Sequence, residues 1–338
     1  MRTLIIGDIH GCYSELLELF DAAALGADDV VVSVGDLVDR GPDPAGVVRW
    51  FRARKNAVVL MGNHERKHVR EVFSYSQEVT RVQMGDEYAE AVAWMRGLPY
   101  FYETPEVRAV HAACIPGTPL AETPEEILSG TTSGEAKLKK LIPEGWWHEH
   151  YTDEKPIVFG HHVTGPDPLL RDGKVFGLDT GCVFGHRLTA LSVPDMKLYS
   201  VPSSGDHWKA IAQRHQVPVL RSKPWATMGW AKLAEAVAAH EHKPAPDTVA
   251  FVADITHWVE ELRALIKTFR TRVEQIDSEL RSHGEDALAA HPAKALLFKL
   301  GRGRLTDEDI EQRCASPQAT LQLAKQLGVD TSGIRSPV

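Results

Sequence analysis

Residues 1–16 read MRTLIIGDIHGCYSEL, and the decisive part is Gly7-Asp8-Ile9-His10-Gly11. The apolar run Leu4-Ile5-Ile6 before it reads as a buried strand over Thr3–Ile6. Strand residues i and i+2 share a side, so Asp8 and His10 point together at one spot past the strand end. A carboxylate and an imidazole on one spot make half of a metal site. Taken alone, the stretch reads better as a helix cap, an Asp and turn residues ahead of a helix over 13–24. The rest of the chain reverses that reading.

Short β-branched runs alternate with helical patterns. A strand over 30–34 precedes a helix near 47–53, and a third strand covers 57–61. This βαβαβ rhythm implies a mostly parallel sheet with covering helices. Residues 71–106 read as helical, and a strand follows over 107–110. Beyond Pro156 the chain becomes strand-rich, over Ile157–Phe159, 175–178, Arg187–Val193 and 197–201. The last two are joined through Pro194-Asp195-Met196 as a hairpin. These strands are expected to form a second sheet packed against the first. After Pro202-Ser203-Ser204-Gly205 the pattern turns helical, which places domain boundaries at 1–205 and 206–338.

The strand ends carry a common chemistry. The second strand ends Gly35-Asp36-Leu37-Val38-Asp39-Arg40-Gly41, and the third ends Gly62-Asn63-His64-Glu65. The next ends at His111, and the one after Pro156 ends Gly160-His161-His162. Each motif alone is a cap, a surface pair or a core histidine. Together they put ligand-type residues at the carboxyl edge of an α/β sheet, where ligands bind. Asp8, His10, Asp36, Asn63, His111 and His161 offer carboxylate, imidazole and amide donors without thiolate, a set suited to Mn, Fe or Zn. Six side chains exceed what one ion with an open position needs, so two divalent ions sharing Asp36 are expected. Manganese is the first choice, with Fe, Zn, Ni or Mg as alternatives. Paired ions about 3.5–4 Å apart are a device for phosphoryl transfer. His64 then suits a general acid, Asp39 its orienting partner, and Arg40 a bidentate phosphate ligand. The plainer reading of Asp39-Arg40 is a surface ion pair.

GDIHG, GDLVDRG and GNHE, with the later AVHAA, FGHH and LDTGCVFGHRLTAL, resemble the phosphoprotein phosphatase branch of the calcineurin-like metallophosphoesterases over about residues 1–202. The resemblance implies a four-layer α/β sandwich, two β-sheets packed together and flanked by helices, here followed by an all-α extension. It also implies one ion on Asp8, His10 and Asp36 and another on Asp36, Asn63, His111 and His161. His64 would be the acid with Asp39 beside it, and Arg40 with Asn63 would meet the phosphate. The chain departs from the family pattern in having no arginine between His111 and His161. Lys137, Lys139, Lys140, Lys155 or Arg171 would have to complete the phosphate clamp.

The expected reaction is phosphomonoester hydrolysis by a metal-bridging hydroxide, on a phosphoprotein or a small phosphorylated molecule. Symmetrical dinucleoside tetraphosphate hydrolysis is the alternative. The closing DTGCVFGHRLTAL also resembles those enzymes, although they depart from Asp-Arg-Gly in the second motif. Nucleic-acid end repair is a third reading, weakened by a net charge of −8 and by acids interspersed among the C-terminal basic residues. Cys12, Cys114, Cys182 and Cys314 are scattered, the short first apolar run is not expected to be a signal peptide, and no apolar run suits a membrane span. A reducing cytoplasm is the expected setting.

Two further stretches invite a function. Val252, Val259, Ile266, Val273 and Leu280, with Ile255, Leu262, Phe269 and Ile276, form an a/d seam near 250–282. It is expected to pack on helices of its own chain, with a homodimer as the second reading. Gly145-Trp146-Trp147-His148-Glu149-His150-Tyr151 reads first as a core aromatic pair with a solvated loop, and second as a rim that stacks a base.

Overall fold

A computed structural model describes residues 2–239, 245–282 and 284–338, in two compact units, Met1–His215 and Gln216–Val338. In the first unit, β1 (Thr3–Ile6), β2 (Val30–Ser33) and β3 (Ala57–Val59) pair in parallel. Each begins in a β-branched or aliphatic run buried on both faces, as parallel strands are. The later pair, Arg187–Val193 and Lys197–Pro202, adds to the edge of β1 in antiparallel register. Numbered in chain order, β4 is Phe101–Glu103, β5 Arg108–Val110, β6 Ile157–Phe159, β7 Leu169–Arg171, β8 Val175–Gly177, and that pair is β9 and β10.

The sheets are β10-β9-β1-β2-β3 and β4-β5-β6-β8-β7. Two expectations are corrected here. The second sheet does not collect all strands beyond Pro156: the β9–β10 hairpin returns to β1, where Leu4 faces Ser192 and Ile6 faces Ala190. The stretch 71–106 is not helical to its end, since Phe101–Glu103 leaves the helices and pairs with β5. The three-residue strand β7 has no sequence signal of its own.

Alternation along the strands builds the layers. Ile5, Val32 and Leu191 face Ala109, Val158 and Leu178 across the two sheets. Leu4, Ile6 and Val31 face the other way, onto Leu16, Leu19, Val47 and Phe51. These last belong to α1 (Tyr13–Ala22) and α2 (Pro44–Ala53). The outer face of the second sheet packs Ile157, Phe159 and Val175 on Ile127, Leu128 and Trp147. The result is a helix–sheet–sheet–helix sandwich. Each such buried aliphatic side chain contributes about 1.5–3 kcal/mol by leaving water. Helix starts follow capping rules: Pro44 sits at the first turn of α2, and the Asp43 carboxylate accepts from the Gly46 N–H at 2.8 Å.

Within the first unit, Glu15 of α1 ties down the helix His207–Arg214. Its Oε1 accepts from His207 Nε2 at 2.7 Å and from Ser204 N and Oγ at 3.1 and 3.0 Å. Burial alone would raise this carboxyl, but the donors outweigh it and bring it down to about 2. A depressed carboxyl adds stability that is present above its ordinary value and fades as pH falls toward 2. Glu15→Gln is therefore expected to lower stability at pH 7 by about 2–3 kcal/mol. The gap to wild type should close between about pH 4.5 and 2 in urea melts, and a gap that stays constant through that window would contradict the assignment.

The second unit is helical. Its longest element is Pro246–Arg281, 36 residues. The seam of this helix is covered by its own unit. Ile255 and Leu262 pack with Leu220, Trp225 and Leu233. Phe269, Val273 and Ile276 pack with Leu296, Leu297, Ile310 and Leu323. The a/d repeat thus packs on helices of its own unit, as the first reading of it expected. No helix among the described residues is long and apolar enough to cross a membrane.

Candidate metal centre

The expected ligands come from both sheets, not from one carboxyl edge. β1, β2 and β3 bring Asp8, His10, Asp36 and Asn63, while β5 and β6 of the second sheet bring His111 and His161. Backbone geometry at these turns is unusual. His10, Asp36, Asp39, Arg40 and His161 have φ of 46, 51, 71, 69 and 67°. Non-glycine residues held left-handed cost on the order of 1–3 kcal/mol each and persist where packing over-determines them. Gly35, at φ 119°, lets the chain pass the His111 ring, whose Nδ1 would stand 2.9 Å from any added Cβ. Gly62 leaves room for the Asp36 carboxylate, which a side chain there would overlap.

Two groups of donor atoms form, and Asp36 belongs to both. One is His10, Asp36 and His64; the other is Asp36, His111 and His161, each within 4.8 Å. Asp36 Oδ2 lies 3.6 Å from His10 Nε2 and 3.8 Å from His64 Nε2, while Oδ1 lies 3.4 Å from His111 Nε2. Strand β2 lies between β1 and β3, which is what puts Asp36 at the centre. Asn63 Oδ1 joins the second group at 3.0 Å from His111 Nε2 and 3.1 Å from His161 Nδ1. Asp8 stands outside both triads; its carboxylate accepts the His161 backbone N–H at 3.1 Å. It nevertheless lies in the field of Asp36 and Asp179.

Each histidine has its other nitrogen anchored. His10 Nδ1 donates to Val38 O at 2.8 Å and His111 Nδ1 to Val34 O at 3.1 Å. His161 Nε2 donates to Glu135 Oε1 at 2.9 Å, and His64 Nδ1 to Asp39 Oδ2 at 2.5 Å. The remaining nitrogens, Nε2 of His10, His64 and His111 and Nδ1 of His161, turn inward. Anchored imidazoles of this kind are how proteins fix the tautomer of a metal ligand.

The electrostatics ask for a cation. Burial raises the Asp36 carboxyl to about 7 and that of Asp179 to about 6, and pushes Asp8 well above the usual range. Burial also drives the His10 and His111 imidazoles well below theirs, with Arg40 and His161 adding repulsion respectively. Buried carboxylates among neutral imidazoles are a costly arrangement unless positive charge joins them. Arg40 supplies some: its Nη1 donates to His10 Nε2 at 3.0 Å while its guanidinium lies 5.5 Å from the Phe184 ring centre. The remaining deficit, with hard and intermediate donors, fits divalent ions.

Asp39 is fully buried and accepts from His64 and Gln77 on Oδ2, and from His68 at 2.8 Å and Thr80 at 2.7 Å on Oδ1. Burial would raise its carboxyl, but the bonds from His64 and His68 hold it well below the usual range. It is no surface ion pair.

Several contributors escaped sequence reasoning. Glu65 accepts from Asp36 N and Leu37 N, both at 2.8 Å, and from Gly62 N at 3.1 Å, clamping the second motif to the third. Asp179 follows β8 and obeys the same strand-end rule, which could have found it. Glu135 could not have been found, because it sits on a surface helix, Thr132–Leu141, far in sequence from His161. Carboxylates behind a ligand histidine affect metal affinity 10–100-fold on average. Glu135→Ala is expected to weaken Mn binding by roughly that factor, read by titrating metal-stripped protein. Of the substitutes for the missing arginine, Lys137 pairs with Glu126, Lys155 with Glu103, and Arg171 donates to His148 O.

A buried Asp/His cluster where two sheets of a sandwich meet defines a metal-dependent phosphoesterase. The chain belongs to the calcineurin-like phosphoesterase family, which it matches over residues 1–200. That family implies a dinuclear metal site. The chain is 30% identical over 234 residues to the asymmetrical bis(5'-nucleosyl)-tetraphosphatase PrpE of Halalkalibacterium halodurans, spanning 60% of this chain and 94% of that one. It is 26% identical over 268 residues to the symmetrical bis(5'-nucleosyl)-tetraphosphatase of Aromatoleum aromaticum, spanning 60% and 97%. A crystal structure named provisionally as a diadenosine tetraphosphatase superposes with a TM-score of 0.50 at 28% identity, covering 60% of this chain and 93% of that one.

Proposed function

We propose that this chain hydrolyses dinucleoside tetraphosphates at a centre of two divalent ions. The carrying observation is the span of likeness: relatives named as tetraphosphatases are matched over 94–97% of their own length, and the family match covers residues 1–200, which hold the Asp/His cluster. This favours the anhydride substrate over the phosphomonoester that the motifs alone suggest, and manganese stays the first choice of ion.

In this reading Asp8, His10 and Asp36 hold one ion, and Asp36, Asn63, His111 and His161 the other. Bound there, the ions would polarise the phosphoryl oxygens and make water a stronger nucleophile at neutral pH. The protein's own groups do the rest. Arg40 and Asn63 orient the phosphoryl group being attacked. Water adds to phosphorus and gives up a proton to the solvent, the phosphoanhydride P–O bond breaks, and His64 hands a proton from Nε2 to the departing oxygen. Asp39 keeps His64 Nδ1 protonated and the ring turned inward.

The test is product analysis with diadenosine tetraphosphate and Mn. Two ADP mark cleavage at the middle of the chain, ATP plus AMP mark cleavage to one side, and either outcome supports the reading. An intact dinucleotide beside brisk hydrolysis of a phosphopeptide would return the chain to the phosphomonoester reading.

A further inference from the structure

We propose that the groove beside His161 is a base-stacking subsite, with the Trp146 ring as platform for one nucleobase of the substrate. This rests on the dinucleotide reading above.

The two tryptophans have separated fates. Trp147 is 3% exposed and packs edge-on to Phe159 at 5.1 Å, as the core reading expected. Trp146 is 52% exposed, an unusual position for the largest apolar side chain. It borders a cavity of 710 Å³ whose walls include Ala136, Leu138 and Ile142 of the helix Thr132–Leu141. That volume is in the range of small-ligand pockets, and the walls are mostly apolar.

The groove is joined to the metal centre by contacts. The Trp146 ring stands 4.9 Å from His162, edge to face, and His162 stands 4.6 Å from His161. Glu135 both lines the groove and anchors His161 Nε2. A phosphate held at Asn63 and His161 therefore has an aromatic face within one side chain of it, and Lys139 adds positive charge to the same wall. The platform is preset: Trp146 N donates to Glu149 Oε2 at 3.0 Å, and His150 Nε2 to Glu144 O at 2.8 Å, so the loop pins itself. A preset aromatic ring loses little freedom when a base stacks on it.

The experiment compares kcat/KM for diadenosine tetraphosphate with that for inorganic tripolyphosphate, which has no base, using the full chain loaded with Mn. In Trp146→Ala the ratio is expected to fall roughly 5- to 150-fold, the range of base–aromatic stacking, and Trp146→Phe should restore most of it. Ala136→Trp, an exposed helix-surface change that fills the groove, should lower the ratio likewise. A ratio unchanged in either Trp146→Ala or Ala136→Trp, or equal losses on both substrates, overturns the subsite and leaves the dinucleotide reading standing. A wild type that cleaves tripolyphosphate but not diadenosine tetraphosphate removes that reading, and the subsite with it.

Discussion

Asp36→Asn is expected to reduce diadenosine tetraphosphate hydrolysis by on the order of 10³-fold or more, while the metal-free chain stays folded. Asp36 is the one side chain common to both donor groups, with one oxygen toward His10 and His64 and the other toward His111. Replacing it takes a ligand from each ion, and the several kcal/mol those ions supply correspond to a factor of ten per 1.4 kcal/mol. Asn keeps the shape, and its carbonyl can still accept the His64 N–H, now 3.1 Å from Asp36 Oδ1. It also removes a carboxylate that burial disfavours, so the metal-free variant should melt no lower than wild type. Elemental analysis after Mn loading should find fewer than two ions per chain. Full metal content together with normal turnover would remove Asp36 from the centre.

His64→Ala should produce the second-largest loss, and the loss should depend on the leaving group. Proton donation by a positioned acid contributes roughly 10²–10⁴-fold. Phenolate is a more basic leaving group than p-nitrophenolate, so it depends more on that proton. The variant should therefore lose more on phenyl phosphate than on p-nitrophenyl phosphate. The tight bond from His64 Nδ1 to the fully buried Asp39 leaves Nε2 as the nitrogen that can act. His64 Nε2 also lies near Asp36 and His10, so metal content must be measured alongside. Equal losses on both esters, with an ion missing, would make His64 a ligand rather than the acid.

What was legible in the sequence follows from locality. Asp8 and His10 were legible as the residues that follow the first apolar run, although the pleat ends at Ile6, His10 turns left-handed and Asp8 stands outside both triads. Asp36, Asn63, His111 and His161 were legible by repetition of the same strand-end pattern. Their meeting point could be read because every one of them follows an apolar run. Which sheet each strand joins could not be read in the same way. The hairpin Arg187–Val193 and Lys197–Pro202 carries the apolar signature of a second-sheet strand, yet Ala190 pairs with Ile6, because the free edge of β1 is the partner that closes the first layer. Phe101–Glu103 and Leu169–Arg171 are too short to announce themselves against neighbouring patterns. Glu135 and Trp146 matter only through what the fold sets beside them, so position along the chain says nothing of their roles. The heptad seam was legible as a buried stripe; its partners, Leu220 to Leu323, are scattered over the second unit.

The central claim is that two ions at this Asp/His cluster drive cleavage of a dinucleoside tetraphosphate. It is tested most directly by adding Mn to metal-stripped protein in steps while following diadenosine tetraphosphate hydrolysis. Activity is expected to rise from none to a plateau at two ions per chain. Undiminished hydrolysis in the stripped protein, or none at any loading while other phosphate esters are cleaved, would contradict it.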